Sequence, residues 1–373
     1  MRVVVTGQVG LDKKPFLRCV VDLAAEGGFQ LAVCNIGQMM YAEAPDVAPG
    51  RILDLPLSRL NSLRRSVFKD VLASCRRHDH VLVNTHATFR WRHGLFHAFD
   101  YDQMKALDAD MYVAVVDNID RVHRRLARDG HTDHSLKDLI VWREEEIMAT
   151  ELLAQIVRGH RCFYIMARGD EDSGAAEALT RLLCQPQLKK AYLSFPMTHA
   201  EPSSAGAAEI AAFRREMKGR LICFDPGDVE EKSLCESAIG AAQEGRRTIE
   251  FGPPGRRTTL QTPQVLEIIA DIDGQIYARD FKLIDQSDMI VSIIPAGADG
   301  TPLLASGVER ELQHAHEAAK EVFVIWRPRT APSPFITETA TRVFPSLDEA
   351  MGHFRQNGYL ASGPLGGLFD QGE

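Results

Sequence analysis

Short apolar segments alternate with amphipathic segments of helical length along almost the whole chain. In the first half, strands are predicted at Arg2–Thr6, Gln30–Cys34, His80–Asn84, Met111–Val116 and Arg161–Met166. Helical patterns lie between them, at Pro15–Ala25, Leu60–Arg77 and Leu136–Val157. Strands that alternate with helices at this spacing form a parallel sheet covered by helices. The sequence therefore predicts an α/β fold.

The same pattern starts again after residue 189. Strands are predicted at Lys190–Phe195, Leu221–Asp225, Asp288–Ile294 and Val322–Trp326, and helices at Ala207–Met217, Tyr277–Gln286 and Gly307–Lys320. A chain of 373 residues is long enough for two domains. We expect domains at 1–185 and 186–373, each with its own parallel sheet, and a flexible Gly-rich tail from residue 361. Residues 226–265 carry no clear pattern.

The amino-acid composition argues against several classes of protein. The net charge of −8 argues against a general nucleic-acid binder, and no apolar run is long enough to span a membrane. The seven cysteines are scattered without a C-x-x-C pair, which is typical of reduced cytoplasmic proteins. The segment MRVVVTG goes directly into a predicted strand, and from this we expect that the protein is not secreted. We expect a cytoplasmic protein with no metal site.

The first strand runs into a glycine-containing loop that precedes a helix. The segment Gly7-Gln8-Val9-Gly10-Leu11-Asp12-Lys13-Lys14 has the layout of a phosphate-binding loop, G-x-x-x-x-G-K-[ST]. Glycines let backbone N–H groups turn toward an anion, and the helix N-terminus favours negative charge. Gly7 and Lys13 are in register. Asp12 stands at the second glycine and Lys14 at the metal-binding hydroxyl.

Three further segments accompany this loop: LAVCNIGQMMYAEAP (31–45), VLVNTHATFRWRHG (81–94) and VAVVDNIDRVHRRLARD (113–129). With them, residues 1–165 resemble an archaeal-type adenylate kinase. The resemblance implies a nucleotide site with ATP and Mg²⁺ as cofactors. The residues it assigns to this site are Gly7, Gly10 and Lys13 in the loop, Arg90 and Arg92 on the monophosphate side, and Arg124, Arg125 and Arg128 in the lid.

Three positions depart from that family. Asp12 brings a negative charge to the phosphate site unless it is turned outward, Lys14 removes a metal ligand, and Asn84 replaces the aspartate of Asp-Thr-His. Phosphoryl transfer depends on positioning and on neutralising phosphate charge with Lys, Arg and Mg²⁺. We expect a kinase-like domain in which phosphoryl transfer is impaired or lost and nucleotide binding is retained. A scaffold that binds nothing is the alternative.

In the second half, two carboxylates are candidate functional residues. Ser306-Gly-Val-Glu309 has the pattern of a capping box and predicts a helix that begins just after Ser306. Glu311 then lies near the end of the strand Asp288–Ile294, where open parallel sheets bind ligands. We expect the helix dipole to favour its anionic form, which suits a nucleophile. Asp280, on the preceding helix, is the second carboxylate.

Three motifs of this half, over residues 188–330, resemble the nucleoside 2-deoxyribosyltransferase-like proteins, which include nucleoside 5′-monophosphate N-glycosidases. The motifs are KAYLSFP (190–196), Arg279-Asp280-Phe281 followed by SDMIV (287–291), and GVERELQHA (307–315). The resemblance implies a flavodoxin-like domain and a homo-oligomer. It assigns catalysis to Glu311, Asp280 and Tyr192, and substrate binding to Ser194, Ser306, Gly307 and Asp299, although Asp299-Gly-Thr fits a simple turn as well.

The function implied is cleavage or exchange of the N-glycosidic bond of a nucleoside or nucleotide. Glu311 would form a glycosyl intermediate and Asp280 would orient or protonate the leaving base. No cofactor is expected for this step. Two alternatives stay open: an active nucleoside monophosphate kinase fused to a glycosidase, and a nucleotide sensor without catalysis.

Overall fold

A computed structural model describes residues 1–91, 94–169, 174–197 and 205–360. Arg92 and the predicted tail from residue 361 lie outside the described residues. The chain divides into two compact units. Unit 1 comprises Met1–Val21, Gln30–Arg168 and Val229–Ile276, and unit 2 comprises Asp22–Phe29, Gly169–Asp228 and Tyr277–Glu373. These units are discontinuous in sequence, unlike the predicted domains 1–185 and 186–373, because residues 229–276 belong with the first half.

The strands and helices up to residue 168 alternate as the sequence predicts. In chain order they are β1 (Arg2–Thr6), α1 (Lys13–Glu26), β2 (Ala32–Asn35), α2 (Ile36–Glu43), α3 (Leu57–Arg77), β3 (Val81–Asn84), β4 (Thr88–Trp91), β5 (Gly94–His97), α4 (Tyr101–Leu107), β6 (Met111–Val116), α5 (Ile119–Arg128), α6 (Leu136–Arg158) and β7 (Phe163–Ala167). The five predicted strands are β1, β2, β3, β6 and β7. The short hairpin of β4 and β5 was not predicted.

The main sheet of unit 1 is fully parallel, in the order β2-β3-β1-β6-β7. Its strands are apolar over most of their length, as expected of strands covered on both faces. One face packs on α3 through Val67, Phe68 and Val71, all at most 1% exposed. The carboxyl ends of β1, β3 and β6 therefore meet at one edge, where the loop from Gly7 to Lys13 begins.

The remaining elements follow in chain order. They are α7 (Ala175–Cys184), β8 (Lys190–Ser194), α8 (Ala205–Arg220), β9 (Ile222–Phe224), α9 (Lys232–Gln243), β10 (Thr248–Phe251), β11 (Thr258–Gln261), α10 (Thr262–Glu267), α11 (Ile269–Asp285), β12 (Met289–Ile294), α12 (Ser306–Glu317), β13 (Glu321–Trp326), α13 (Pro334–Thr337), β14 (Arg342–Phe344) and α14 (Leu347–Gln356). Strand β14 and the hairpin β10–β11 were not predicted. The hairpin lies within the segment where the sequence carried no clear pattern.

The sheet of unit 2 is also parallel, in the order β14-β13-β12-β8-β9. Counted along this sheet alone, the order is 2-1-3-4-5, the flavodoxin-like arrangement. One face carries Leu193, Val291 and Phe323 against Phe213 of α8 and Phe354 of α14. The predicted α/β class with two parallel sheets, the second flavodoxin-like, is confirmed. Among the described residues no helix is both long and apolar enough to cross a membrane.

A buried ion pair ties the 229–276 segment to the rest of unit 1. Both terminal guanidinium nitrogens of Arg143, on α6, donate to the Glu231 carboxylate at 2.8 and 2.9 Å. The two residues are 2% and 1% exposed. Glu231 also accepts from the backbone N–H of Ile119, which begins α5 (2.8 Å), and Arg143 also donates to Gln275 (2.6 Å). Glu231 thus joins α5 and α6 to the segment.

We expect Glu231→Gln to lower the free energy of unfolding by about 3 kcal/mol, because it leaves the buried Arg143 charge without its counter-ion. Asp273→Asn is the matched control. Asp273 lies in the same segment and pairs with Lys232 at the surface, where both side chains are more than 40% exposed, so a loss within about 1 kcal/mol is expected. Urea unfolding followed by circular dichroism checks both, and equal losses would contradict the prediction.

Candidate active site and nucleotide-binding site

In unit 2 the predicted catalytic residues meet where the strand order reverses. From β8 the chain goes first to β9 on one side and then to β12 on the other. Open α/β sheets bind ligands at such a switch point, outside the carboxyl ends of the strands. Tyr192 and Ser194 lie at the end of β8, and Glu311 lies on α12, the helix that follows β12.

Two hydroxyl groups of β8 hold the Glu311 carboxylate. The Tyr192 hydroxyl donates to Oε1 at 2.9 Å and the Ser194 hydroxyl donates to Oε2 at 2.6 Å. Both donors are fully buried. Alternate residues of a strand point to the same face, so Tyr192 and Ser194 approach the carboxylate side by side. Both oxygens of Glu311 are therefore fixed by one strand.

Helix α12 presents Glu311 on its buried face. Val308, Leu312 and Ala315 are at most 2% exposed, and Glu311 is three residues after the first of them and four before the last. Burial raises the pKa of Glu311 from 4.5 to about 8, although the Ser194 and Tyr192 hydrogen bonds oppose this. The expectation that the helix dipole keeps Glu311 anionic is therefore wrong. Glu311 is the sixth helical residue, beyond the first turn where the dipole acts.

Asp280 lies on the buried face of α11 in line with Leu283 and Ile284, and is 8% exposed. Burial raises its pKa to about 6, with the neighbouring Arg279 charge opposing the rise. Its charge in turn raises the pKa of Glu311 and of Tyr192. Within the described part of the chain, Asp280 Oδ1 is buried without a hydrogen-bond partner. An unsatisfied buried oxygen of this kind is a feature of functional sites.

The predicted substrate-binding residues outside β8 lie at the surface; they are Asp299, Ser306 and Gly307. Helix α12 begins at Ser306 itself, Ala305 is the N-cap, and no side chain caps the helix. The predicted capping box at Ser306 is therefore wrong, because Ser306 already has helical backbone geometry. Ser306 and Gly307 are exposed. The Asp299 carboxylate accepts from the backbone N–H of Thr301 (3.0 Å) and from its hydroxyl (2.6 Å), which closes a turn.

In unit 1 the predicted phosphate loop has the backbone geometry that its glycines allow. Gly7 has φ of 137°, and a Cβ there would come within 2.6 Å of the Val115 carbonyl oxygen. Gly10 has φ of 89°. The ammonium group of Lys13 donates to the carbonyl oxygens of Gly7 (2.6 Å) and Thr85 (2.7 Å). Burial lowers the pKa of Lys13 to about 7.

The three departures from the kinase pattern have defined positions. The Asp12 side chain is 28% exposed, and its carboxylate pairs with Arg128 at 2.9 Å. Lys14 is exposed, and the Asn84 amide donates to Asn35 at 2.9 Å. Mg²⁺ prefers hydroxyl and carboxylate oxygens. The residues at these positions do not fit that ion, so no phosphoryl-transfer step follows from this loop.

Other groups of unit 1 engage the arginines predicted for the nucleotide. Arg90 forms a two-point ion pair with Glu145 at 2.5 and 2.6 Å, and Arg124 donates to the carbonyl oxygen of Arg256. Arg128 contacts Asp129 as well as Asp12. Arg125 pairs with the buried Asp117 at 2.6 Å. The lid-like helix α5, which carries Arg124, Arg125 and Arg128, is thus bonded to the strand ends and to the 229–276 segment.

Two buried charged residues of this site were missed from the sequence. Glu146 accepts hydrogen bonds from the backbone N–H groups of Gly7 (2.8 Å), Ala87 (2.7 Å) and Thr88 (2.7 Å), and so fixes the start of the loop. Arg64, on α3, is 3% exposed and lines a cavity of about 570 Å³. The sequence held a signal for both, because each lies at helical spacing on an apolar face. Glu146 falls between Leu139 and Leu153, and Arg64 falls between Leu60 and Phe68.

Arg64 is the buried guanidinium that remains available to a ligand in this cavity. One nitrogen donates to Asn61 at 3.1 Å, and the other, Nη2, is buried without a hydrogen-bond partner among the described residues. Phe89 and Trp91 contribute apolar rings to the wall, and His86 lies at the loop end. The pKa of His86 is held well below 6.5 by burial and by the Lys13 charge, so this imidazole is neutral.

Comparisons with known proteins give relatives for both halves. No protein-family model matches the chain. Adenylate kinases of Pyrococcus furiosus and Pyrococcus abyssi are each 24% identical over 186 residues, which are 48% of this chain and 92% of those enzymes. This similarity confirms the resemblance inferred for the first half.

Solved structures similar to parts of the chain include a shikimate kinase from Bacteroides thetaiotaomicron, with a TM-score of 0.34 and 13% identity over 50% of this chain and 98% of that one. A 2-deoxyribosyltransferase from Bacillus psychrosaccharolyticus has a TM-score of 0.26 and 16% identity over 43% of this chain and 89% of that one. At such TM-scores these structures carry no argument, and the fold assignment rests on the sheet orders above.

The raised pKa of Glu311 predicts a pH-dependent stability. Between about pH 4.5 and 8 the folded protein holds a proton that the unfolded chain releases, so stability falls as pH rises, by about 1.4 kcal/mol per pH unit from this residue. Glu311→Gln removes this penalty. The melting temperature of the variant relative to the wild type is expected to rise across this window. Glu309→Gln, at an exposed carboxylate on the same helix, should give a flat difference. A flat difference for Glu311→Gln as well would contradict the burial argument.

Proposed function

We propose that unit 2 cleaves or exchanges the N-glycosidic bond of a nucleoside or nucleoside 5′-monophosphate through a glycosyl–Glu311 intermediate. The observation that carries the proposal is the Glu311 carboxylate, which is held at both oxygens by hydroxyl groups of β8 and has its pKa raised by the Asp280 charge. Support also comes from the place of these residues at the switch point of the sheet. The activity of the similar 2-deoxyribosyltransferase belongs to that enzyme and adds no weight here at a TM-score of 0.26.

In the proposed reaction an oxygen of ionised Glu311 attacks C1′ of the sugar. The C1′–N bond breaks, its electron pair passes to the base nitrogen, and the base takes the proton of Asp280. In the second step water attacks C1′, the ester bond to Glu311 breaks, and Asp280 takes the proton of the water. If a second base attacks in place of water, its N–H proton goes to Asp280 and the reaction is a transfer.

The pKa values of Glu311 and Asp280 are both raised toward neutral pH. With values of about 8 for Glu311 and about 6 for Asp280, the two carboxyl groups share one proton between those pH values. The reaction needs that proton on Asp280 and the charge on Glu311. Positive charge that develops at C1′ in the transition state favours this arrangement, because it stabilises the ionised carboxylate.

The test is release of free base, measured by chromatography. Ribo- and deoxyribonucleosides and their 5′-monophosphates are supplied with and without an acceptor base. We expect Glu311→Gln to lose the activity by at least about a thousandfold, and Asp280→Asn by about a hundred- to ten-thousandfold, the contribution of a general acid. The control is Glu309→Gln, on an exposed position of the same helix. No base release from any substrate by the wild type would overturn the proposal.

For unit 1 we propose nucleotide binding without phosphoryl transfer. The supporting observation is the buried, unpaired Arg64 Nη2 at the wall of a 570 Å³ cavity with aromatic sides. A phosphate monoester fits the guanidinium, and a base fits the rings of Phe89 and Trp91. Lys13, Gly7 and Gly10 border the same cavity. ATP with Mg²⁺ is the less favoured ligand, because Lys14 and Asn84 do not fit the metal.

We expect Arg64→Met to weaken the binding of AMP by about 10- to 100-fold, since a hydrogen bond to a charged group contributes about 1.5–3 kcal/mol. Isothermal titration calorimetry measures it. Arg65→Met is the matched control, because Arg65 is the next residue of α3, its side chain is 68% exposed and it pairs with Asp100 at the surface. Equal weakening by both variants, or no binding of AMP by the wild type, would contradict the proposed site.

The two alternatives from the sequence predict different products. An active nucleoside monophosphate kinase would form nucleoside diphosphate from ATP, with loss of that product in Lys13→Ala. A sensor would bind nucleotide and release neither base nor diphosphate. The same chromatographic assay, run with ATP and Mg²⁺, distinguishes these outcomes from the proposed glycosidase.

A further inference from the structure

Ser194 has a more specific place than the substrate contact expected from the sequence. Its hydroxyl group donates to Glu311 Oε2 at 2.6 Å, the shorter of the two hydrogen bonds to that carboxylate. The residue is 0% exposed. A hydroxyl has one proton to donate, and in this site that proton is directed at Glu311. The Ser194 hydroxyl therefore has no proton left to donate to a substrate.

The neighbouring strand offers a second serine in nearly the same surroundings. Ser292 of β12 is in register with Ser194 of β8, so their side chains leave the sheet on the same face. Ser292 is also 0% exposed. Its hydroxyl oxygen has no hydrogen-bond partner within the described ranges. The two serines differ in one respect that bears on the reaction, which is the bond to Glu311.

A buried carboxylate keeps its charge only where donors compensate for the water it has lost. The groups whose charges act on this pocket are Glu311, Tyr192 on β8, Asp280 with Arg279 on α11, and Asp225 after β9. The Asp280 charge opposes ionisation of Glu311, and the Asp225 charge acts on Tyr192. The Ser194 and Tyr192 hydroxyls are the donors that favour its ionised form.

We propose that Ser194 is a positioning residue, which fixes the Glu311 carboxylate against β8 in the ionised form that attacks the sugar and does not itself contact substrate. This inference rests on the proposed glycosidase function. Without the Ser194 hydroxyl, Oε2 loses its donor, and the proton shared with Asp280 stays on Glu311 for a larger fraction of the time. Tyr192 alone then orients the carboxylate through Oε1.

The test compares Ser194→Ala with Ser292→Ala, which removes an equally buried hydroxyl from the adjacent strand. Base release is measured as kcat and KM from pH 5 to 10. For Ser194→Ala we expect the alkaline limb of the profile, near pH 8 in the wild type, to move up by about one unit. We expect kcat at the optimum to fall about tenfold with little change in KM, since one pKa unit is a tenfold change in the proton equilibrium. For Ser292→Ala both quantities should match the wild type.

A readout independent of turnover separates this inference from the proposed function. The carboxyl carbon of Glu311 is followed by NMR in 13C-glutamate-labelled protein and identified by its absence in Glu311→Gln. Its titration midpoint should be higher in Ser194→Ala than in wild type and unchanged in Ser292→Ala. An unmoved midpoint and limb would overturn the positioning role, and so would a rise in KM alone, which indicates a substrate contact. Absence of base release by the wild type would instead overturn the glycosidase proposal.

Discussion

Burial of the Glu311 carboxylate is the constraint on which the chemistry of this protein depends. A charge removed from water is costly unless donors replace the lost hydrogen bonds. Two hydroxyls from one strand supply those bonds, and they can do so only because the strand order of the sheet places β8 beside β12, whose following helix carries Glu311. The nearby Asp280 makes the charge still less favourable. Both carboxyl groups have pKa values raised toward neutral pH, which suits the acid and nucleophile roles of the proposed reaction.

Unit 1 uses buried charge for a different purpose. Glu146 and Lys13 bond to backbone groups at the start of the phosphate loop, and the Arg143–Glu231 pair holds the 229–276 segment on α5 and α6. These four charged residues all have partners, which connect them to the loop and to the lid-like helix. Kinases need a lid that closes and Mg²⁺ that neutralises phosphate charge. A lid-like helix with these connections and unsuitable metal positions agree with a site that binds a nucleotide and does not transfer its phosphoryl group.

The sequence allowed much of the second site to be predicted and less of the first. Glu311, Asp280 and Tyr192 were named from three short motifs; in the structure Tyr192 is hydrogen-bonded to Glu311, and the Asp280 charge raises the pKa of both. Ser306 was expected to cap its helix and does not. The helix begins one residue earlier than the capping pattern indicates, so Ser306 lies within its first turn. Glu146 was missed because its partners Gly7, Ala87 and Thr88 are far from it in sequence. Arg64 was missed because the cavity that it lines is formed by segments distant in the chain. The 229–276 segment was unassigned because its hairpin and short helix have no strong periodicity.

The sequence by itself determined the class of the fold, the position of most strands and helices, and the candidate residues for the proposed reaction and the proposed nucleotide site. These follow from local spacing, because apolar periodicity sets each element and glycines set the loop. Only the tertiary structure decided which charges are buried and what each is bonded to. It raised the pKa values of Glu311 and Asp280, turned Asp12 toward Arg128, and left Arg64 Nη2 unpaired in a cavity. Desolvation and hydrogen-bond partnership depend on groups that are far apart in the chain, so no local pattern contains them.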